Sequence, residues 1–377
     1  MAGDAFFEQV LMPVDRYQIN DDQAYHELQL GAQIHVHEHS IPDWTEADIV
    51  LVGVQDQRGE GQPQPSSAPF YIRKQLYRLF HWHPEIKIAD LGNIQSGRQV
   101  SDTYAAMKAL LGELLAHGKV VMILGGSHDL TYGQYLGYVA NEQLIEATLI
   151  DAIFDIQENE TLPAYTFLMD LFISQPNFLK HYNHIGFQSY YVQPRMLETL
   201  DKLRFDCYRV GYAQERPEDM EPALRMSDML SIDLNAIRHS DAPANDFSPN
   251  GFTGQEMCLL CKYAGMSARL SSLGIYGYHP ERDQHELTAK QIAQMIWYFV
   301  EGFYWRSVDP PPEEKQAYWE FHVKFTDVET LFLRSKRTGR WWMQLPDQRF
   351  IPCTAEDYHQ ACRNEIPERW LRAQERL

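Results

Sequence analysis

The chain has 377 residues, 44% of them apolar, and a formal net charge of -19. That length admits one large α/β domain with an appendage, and the acidic balance makes nucleic acid a poor partner. No run of about 20 apolar residues is present, which excludes a helical membrane span and a membrane partner. The opening MAGDAFFEQV lacks the basic and apolar regions of a signal peptide, so a cytoplasmic location is expected. Five scattered cysteines, Cys207, Cys258, Cys261, Cys353 and Cys362, fit a reducing compartment.

In chain order, HVHEH places His35, His37 and His39 at period two and reads as an exposed extended segment, and HWHP, with His81 and His83, reads the same way. Apolar runs follow at 48–54, 86–92, 120–126, 147–152, 184–188, 207–212, 229–234 and 272–278. Most are continuous and do not alternate, the pattern of strands buried on both faces of a parallel sheet. Helical patterns fill the gaps, as in 101–118 with a Ser/Asp cap and 288–305 starting at Thr288. The alternation predicts a three-layer αβα domain on a mostly parallel sheet of about eight strands. The pair Cys258 and Cys261 in EMCLLCKYAG reads as buried thiols and not as half a zinc site.

Composition changes after Trp305. The expected division is an α/β domain over 1–306 with its core at 45–305, a proline-rich linker over 307–317, and an appendage over 318–377. The appendage reads as short strands with a hairpin turn at Thr338-Gly339, then a terminal helix. Around that turn cluster Arg334, Lys336, Arg337, Arg340, Trp341 and Trp342. Their expected role is packing on the main domain. If the patch binds anything, a protein partner or a neighbouring subunit in a homo-oligomer fits the charge better than nucleic acid.

Ligands of open parallel sheets bind beyond the carboxyl ends of the strands. Three predicted strands end there in polar residues: His128 after VVMILGG, Asp151 and Asp155 after ATLI, and Asp233 with Asn235 after MLSI. One imidazole and three carboxylates at one point make a hard cation site suited to Mn²⁺ or a similar divalent metal.

GGSHDLTYGQY, DAIFDI and SIDLNAIRHSDAP resemble the three metal motifs GGxH, DAHxD and SxDxD of the ureohydrolases, the arginase, agmatinase and formimidoylglutamase family. IADLGNI and SSAPFYIRKQL resemble weaker family features, and GSHDLTYGQYLGY with the GFQ turn looks closest to the formimidoylglutamase branch. The resemblance spans roughly residues 45–305. It implies an arginase-like fold and a metal held by His128, Asp151, Asp155 and Asp233. It also implies a second metal, whose two further ligands are replaced here by Ile153 and Asn235. Family members carry a glutamate where this chain has Gly277, and arginase has a shuttle histidine that finds no counterpart between Ile156 and Lys180.

The family reaction relies on two cations to acidify water. One cation among three aspartates leaves a formal charge of about -1 and acidifies water less. The sequence therefore implies a ureohydrolase-fold protein that has lost binuclear C–N hydrolysis and acts as a binding, regulatory or scaffolding protein with at most one metal, and no catalytic residue is assigned. The alternative is an active metal-dependent hydrolase of a formimino or guanidino substrate. It would need new acid–base groups, and Glu158, Glu160, His239 and His279 are the nearby polar candidates.

Overall fold

The computed structural model describes residues 2–20, 24–157, 160–307, 309–325 and 328–375. Its centre is a ten-stranded sheet formed by β1 (Leu11–Met12), β2 (His35–Val36), β3 (Ile49–Val54), β4 (Ile88–Ile94), β5 (Val120–Leu124), β6 (Ile145–Ile150), β7 (Leu179–Phe187), β8 (Asp206–Arg209), β9 (Met229–Asp233) and β10 (Ser272–Tyr276). The order is β1-β4-β3-β5-β10-β9-β6-β7-β8, with β2 beside β4. Every pairing is parallel except β1 with β4. All eight expected strands are present, and two short N-terminal strands extend the sheet. The run 207–212 is a strand only to Arg209 and then turns into the helix Val210–Glu215. It lies at the sheet edge with β7 as its single neighbour, so no second ladder holds it extended.

Successive residues of a strand point to opposite faces. Along β3, Ile49 and Leu51 join one core with the helices Ala68–Leu76, Gly254–Gly265 and Leu287–Tyr304. Val50, Val52 and Val54 join another with the helix Val100–Ala116. Helices on both faces of a mostly parallel sheet give the three-layer αβα architecture. Cys258 and Cys261 are buried in the first core.

The helix caps differ from expectation. Val100–Ala116 is closed by Asp102, whose carboxylate accepts the Gln99 N–H at 2.9 Å. Leu287–Tyr304 is capped by Asp283, which accepts the N–H groups of Thr288 and Ala289, both at 3.0 Å. Thr288 uses its hydroxyl elsewhere, accepting the Ala244 N–H. In the histidine-rich segments His35 and His39 are exposed as expected, but the other three are more buried. His37 is buried and bonds the Leu91 carbonyl, His81 bonds the Ile86 carbonyl, and His83 stacks on Tyr304.

A second, antiparallel sheet follows: β11 (Tyr318–Phe325), β12 (Val328–Ser335), β13 (Trp341–Gln344) and β14 (Phe350–Cys353). Two helices, Ala355–Cys362 and Glu368–Glu375, cover it and share a core with Phe325, Phe332 and Met343. Gly339 takes φ +75° in the β12–β13 turn, where glycine carries no Cβ penalty. The two tryptophans part company. Trp341 stacks on Tyr358 inside this unit, while Trp342 lies under the Arg225 guanidinium of the main fold, 4.6 Å from the ring centre. Arg340 donates to the carbonyls of Met266 and Ser307 and approaches Glu221 at 3.4 Å. No helix among the described residues is long and apolar enough to cross a membrane.

Candidate metal centre

The strand order puts β5, β10, β9 and β6 side by side at the middle of the sheet, so their carboxyl ends form one rim. After β5 the chain turns through Gly125 and Gly126, both at positive φ. A Cβ on Gly126 would sit 2.2 Å from Leu130 Cδ1, so only glycine allows the turn that delivers His128. Asp151 and Asp155 follow β6, and Asp233 ends β9.

All four side chains meet. His128 Nδ1 lies 2.8 Å from Asp155 Oδ2, 3.2 Å from Asp233 Oδ2 and 3.5 Å from Asp151 Oδ2. His128 Nε2 is held at 3.2 Å by Ser231 Oγ, which fixes the ring from behind. Phe167 packs edge-on against the imidazole. The four residues are buried, and the residual exposure lies at Asp233 and Ile153, each 6% exposed.

Burial, then the charges of Asp155 and Asp233, pushes the Asp151 carboxyl well above its ordinary range. Burial, then the charge of Asp233, does the same to Asp155. Asp233 is raised by burial, against the opposing pull of His128. Buried like charges at this spacing need a positive partner. Donor atoms of His128, Asp151 and Asp233 lie within 4.8 Å of one another, a span that one cation can bridge. The donor set, one ring nitrogen and carboxylate oxygens, fits a hard divalent ion.

The other half of the site is built differently. Ile153 offers no side-chain donor, and its N–H donates to Asp151 Oδ1 at 3.3 Å. The Asn235 N–H donates likewise to Asp233 Oδ1 at 2.7 Å. Loop amides thus occupy the oxygens opposite those that face His128. Gly277 stands at φ +73°, and a Cβ there would sit 2.9 Å from Asp233 Oδ1. Positive φ and the close Asp233 carboxylate both act against a side chain at this position.

Of the polar candidates named from the sequence, His279 adjoins the cluster. His239 is exposed and bonds the Asn245 carbonyl, Glu160 is exposed, and Glu158 lies outside the described residues. Sequence reasoning missed Glu60. It pairs with His279 at 2.9 Å, and its charge helps to raise the acids of Asp155 and Asp233. Glu60 sits in QDQRGEGQPQ with no motif around it, one acidic residue among 52.

Residues 47–301 match the model of the arginase family. The chain belongs to that family. Among its relatives, the formimidoylglutamase of Streptococcus gordonii is 22% identical over 278 residues, covering 67% of this chain and 84% of the relative. That of Vibrio cholerae is 24% identical over 288 residues, covering 67% and 83%. Among solved structures, the formimidoylglutamase of Bacillus subtilis aligns with a TM-score of 0.67 at 16% identity, covering 78% of this chain and 99% of that one. The Trypanosoma cruzi formiminoglutamase with Mn²⁺ aligns at 0.65 and 16%, covering 74% and 99%. The fold is arginase-like, and the relatives named here are of the formimidoylglutamase branch.

Proposed function

We propose that this chain is a divalent-metal-dependent hydrolase of a linear amidine of the formimino class, with one cation held by His128, Asp151, Asp155 and Asp233. The observation that carries the reading is the convergence of three buried carboxylates on one ring nitrogen within 3.5 Å. Without a cation such a group is costly to bury. The similarity to formimidoylglutamases supports hydrolysis better than its loss, which the sequence alone had favoured. Mn²⁺ fits the donor set.

A bound cation would supply Lewis acidity toward water and the amidine. The chain's own residues do the rest. Ser231 orients His128, and Phe167 and Tyr276 flank its ring. Ile153, buried and apolar between Asp151 and Asp155 in the chain, offers water no polar side-chain group there.

A second reading keeps the cation and drops the chemistry: a binding or regulatory protein with one structural ion. Ile153, Asn235 and Gly277 favour it, because each removes a group that the family resemblance implies.

Metal content by mass spectrometry, after equilibration with Mn²⁺, should give one ion per chain, lost in Asp155→Ala. The loaded protein is then offered N-formimino-glutamate, agmatine and arginine. Formamide released from the first supports the hydrolase. One bound ion with no formamide, urea or ammonia from any of them selects the second reading.

A further inference from the structure

The metal centre occupies the middle of the large sheet, and a separate cavity of about 390 Å³ lies at its edge. One part of the lining comes from β8 and the helix Val210–Glu215, the other from the helices Ala355–Cys362 and Glu368–Glu375 of the appendage. The match to the arginase family ends at residue 301, so the appendage wall lies outside the matched fold. Two contacts tie the walls together. Arg369 Nη2 donates to the Asp219 carbonyl at 3.2 Å, and Arg372 Nη1 donates to Asp201 Oδ1 at 3.3 Å.

Four arginines and five acids line this cavity. Each of the acids has a partner. Asp206 faces His181 at 3.2 Å, Asp219 accepts the Tyr212 hydroxyl at 2.6 Å, and Glu356 pairs with Arg363 at 2.8 Å. Asp357 and Glu368 take Arg369 and Arg372, at 3.3 and 2.9 Å. Arg209 and Arg216 remain. Arg209, at the end of β8, makes no hydrogen bond or ion pair among the described residues. Arg216 has the face of the Tyr212 ring, 5.7 Å from its centre, a contact that leaves the N–H donors at the guanidinium edge open. On a convex surface two such arginines would be ordinary solvated groups. Here they line one concave space beside Thr354, where the positive dipole end of the helix Ala355–Cys362 adds to their field. In a chain of net charge -19 this is a local excess of positive charge.

We propose that this cavity binds a small organic anion whose phosphate or carboxylate head is gripped by Arg209 and Arg216. The planar fork of a guanidinium matches both kinds of oxyanion. Tyr208 and Tyr212 stack with their ring centres 6.4 Å apart and their planes 19° from parallel. With Phe187, on the same lining, they give the body of the ligand an apolar wall. The volume falls in the range of small-molecule sites. β7 stands between β8 and β6, the strand that leads into Asp151. Neither the cation nor hydrolysis enters this inference, so it holds under either reading of the metal centre.

Isothermal titration calorimetry on the full chain tests this, with inorganic phosphate, adenosine monophosphate, citrate and benzoate as probes. At least one probe should bind at one site per chain with a Kd below about 1 mM. Arg209→Gln and Arg216→Gln should each weaken that binding by about tenfold or more. Their melting temperatures should stay at the wild-type value, since neither side chain has an ion-pair partner to lose. Arg195→Gln removes an exposed arginine outside the cavity and should bind as wild type does. Binding of the two phosphates alone assigns a phosphate head, binding of citrate or benzoate alone a carboxylate head, and binding of both kinds an unselective oxyanion site. With the tightest probe bound, hydrogen exchange should slow in Val210–Glu215 and Ala355–Cys362 and stay unchanged in Val100–Ala116. The proposal is overturned if no probe reaches that affinity, if binding survives both arginine substitutions, as it would for an anion landing at the metal centre, or if protection falls only elsewhere.

Discussion

On the proposed one-ion reading, Ile153 and Asn235 set the number of ions through what their side chains lack. Their backbone amides already serve Asp151 and Asp233, so giving back the side-chain donors need not disturb the His128 half. The double variant Ile153→His with Asn235→Asp should raise Mn²⁺ content from one ion per chain to two, measured by mass spectrometry. The same carboxylates set a pH dependence. Asp151 and Asp155 hold protons more tightly than free aspartates because they are buried and face other carboxylates, and a cation must displace those protons. The rise in melting temperature on adding Mn²⁺ should therefore be largest at neutral to alkaline pH and shrink as pH falls. Calorimetry on chelated and Mn²⁺-loaded protein checks this, with Asp155→Ala showing little rise at any pH.

At the scale of elements, the rim exists because β5, β10, β9 and β6 are neighbours although far apart in sequence. The continuous apolar runs made those strands legible, since burial on both faces leaves a compositional trace. The order of the strands left no such trace in the residues and is read from the structure. His128, Asp151, Asp155 and Asp233 were legible because each directly follows or ends an apolar run. Glu60 was not, because it reaches the rim by tertiary packing of a glycine-containing turn. Asp283 was missed for a related reason: it caps the helix Leu287–Tyr304 from several residues upstream, beyond the 3₁₀ turn Gln284–Glu286. Asp283→Ala should cost about 1–2 kcal/mol of stability, read by denaturant unfolding. Gly277→Ala combines positive φ with a close approach to Asp233 and should cost about 1–3 kcal/mol in the same measurement.

Across the whole molecule, buried arginine side chains link the second sheet to the main fold. Arg340, with its side chain 9% exposed, spans both parts through Met266, Ser307 and Glu221. Arg225 lies over Trp342 and donates to the Trp341 carbonyl at 3.3 Å. Arg340→Ala should destabilise the protein by about 3 kcal/mol, because Glu221 loses one of its cationic partners. Hydrogen exchange should then speed up in β11–β14 and in Glu221–Met226, and stay slow in β5, β9 and β10. Uniform acceleration would mean that the two sheets unfold as one unit.

The closeness of His128 Nδ1 to three carboxylate oxygens has a consequence for how the protein matures. In a metal-free chain, protons held by the buried acids of Asp151 and Asp155 would relieve the charges that a bound cation otherwise screens. Newly made protein can then complete its fold before it encounters an ion. Loading becomes an exchange at preset geometry, in which acid leaves as metal enters. On the proposed reading, a cell short of the metal would accumulate folded, unloaded protein.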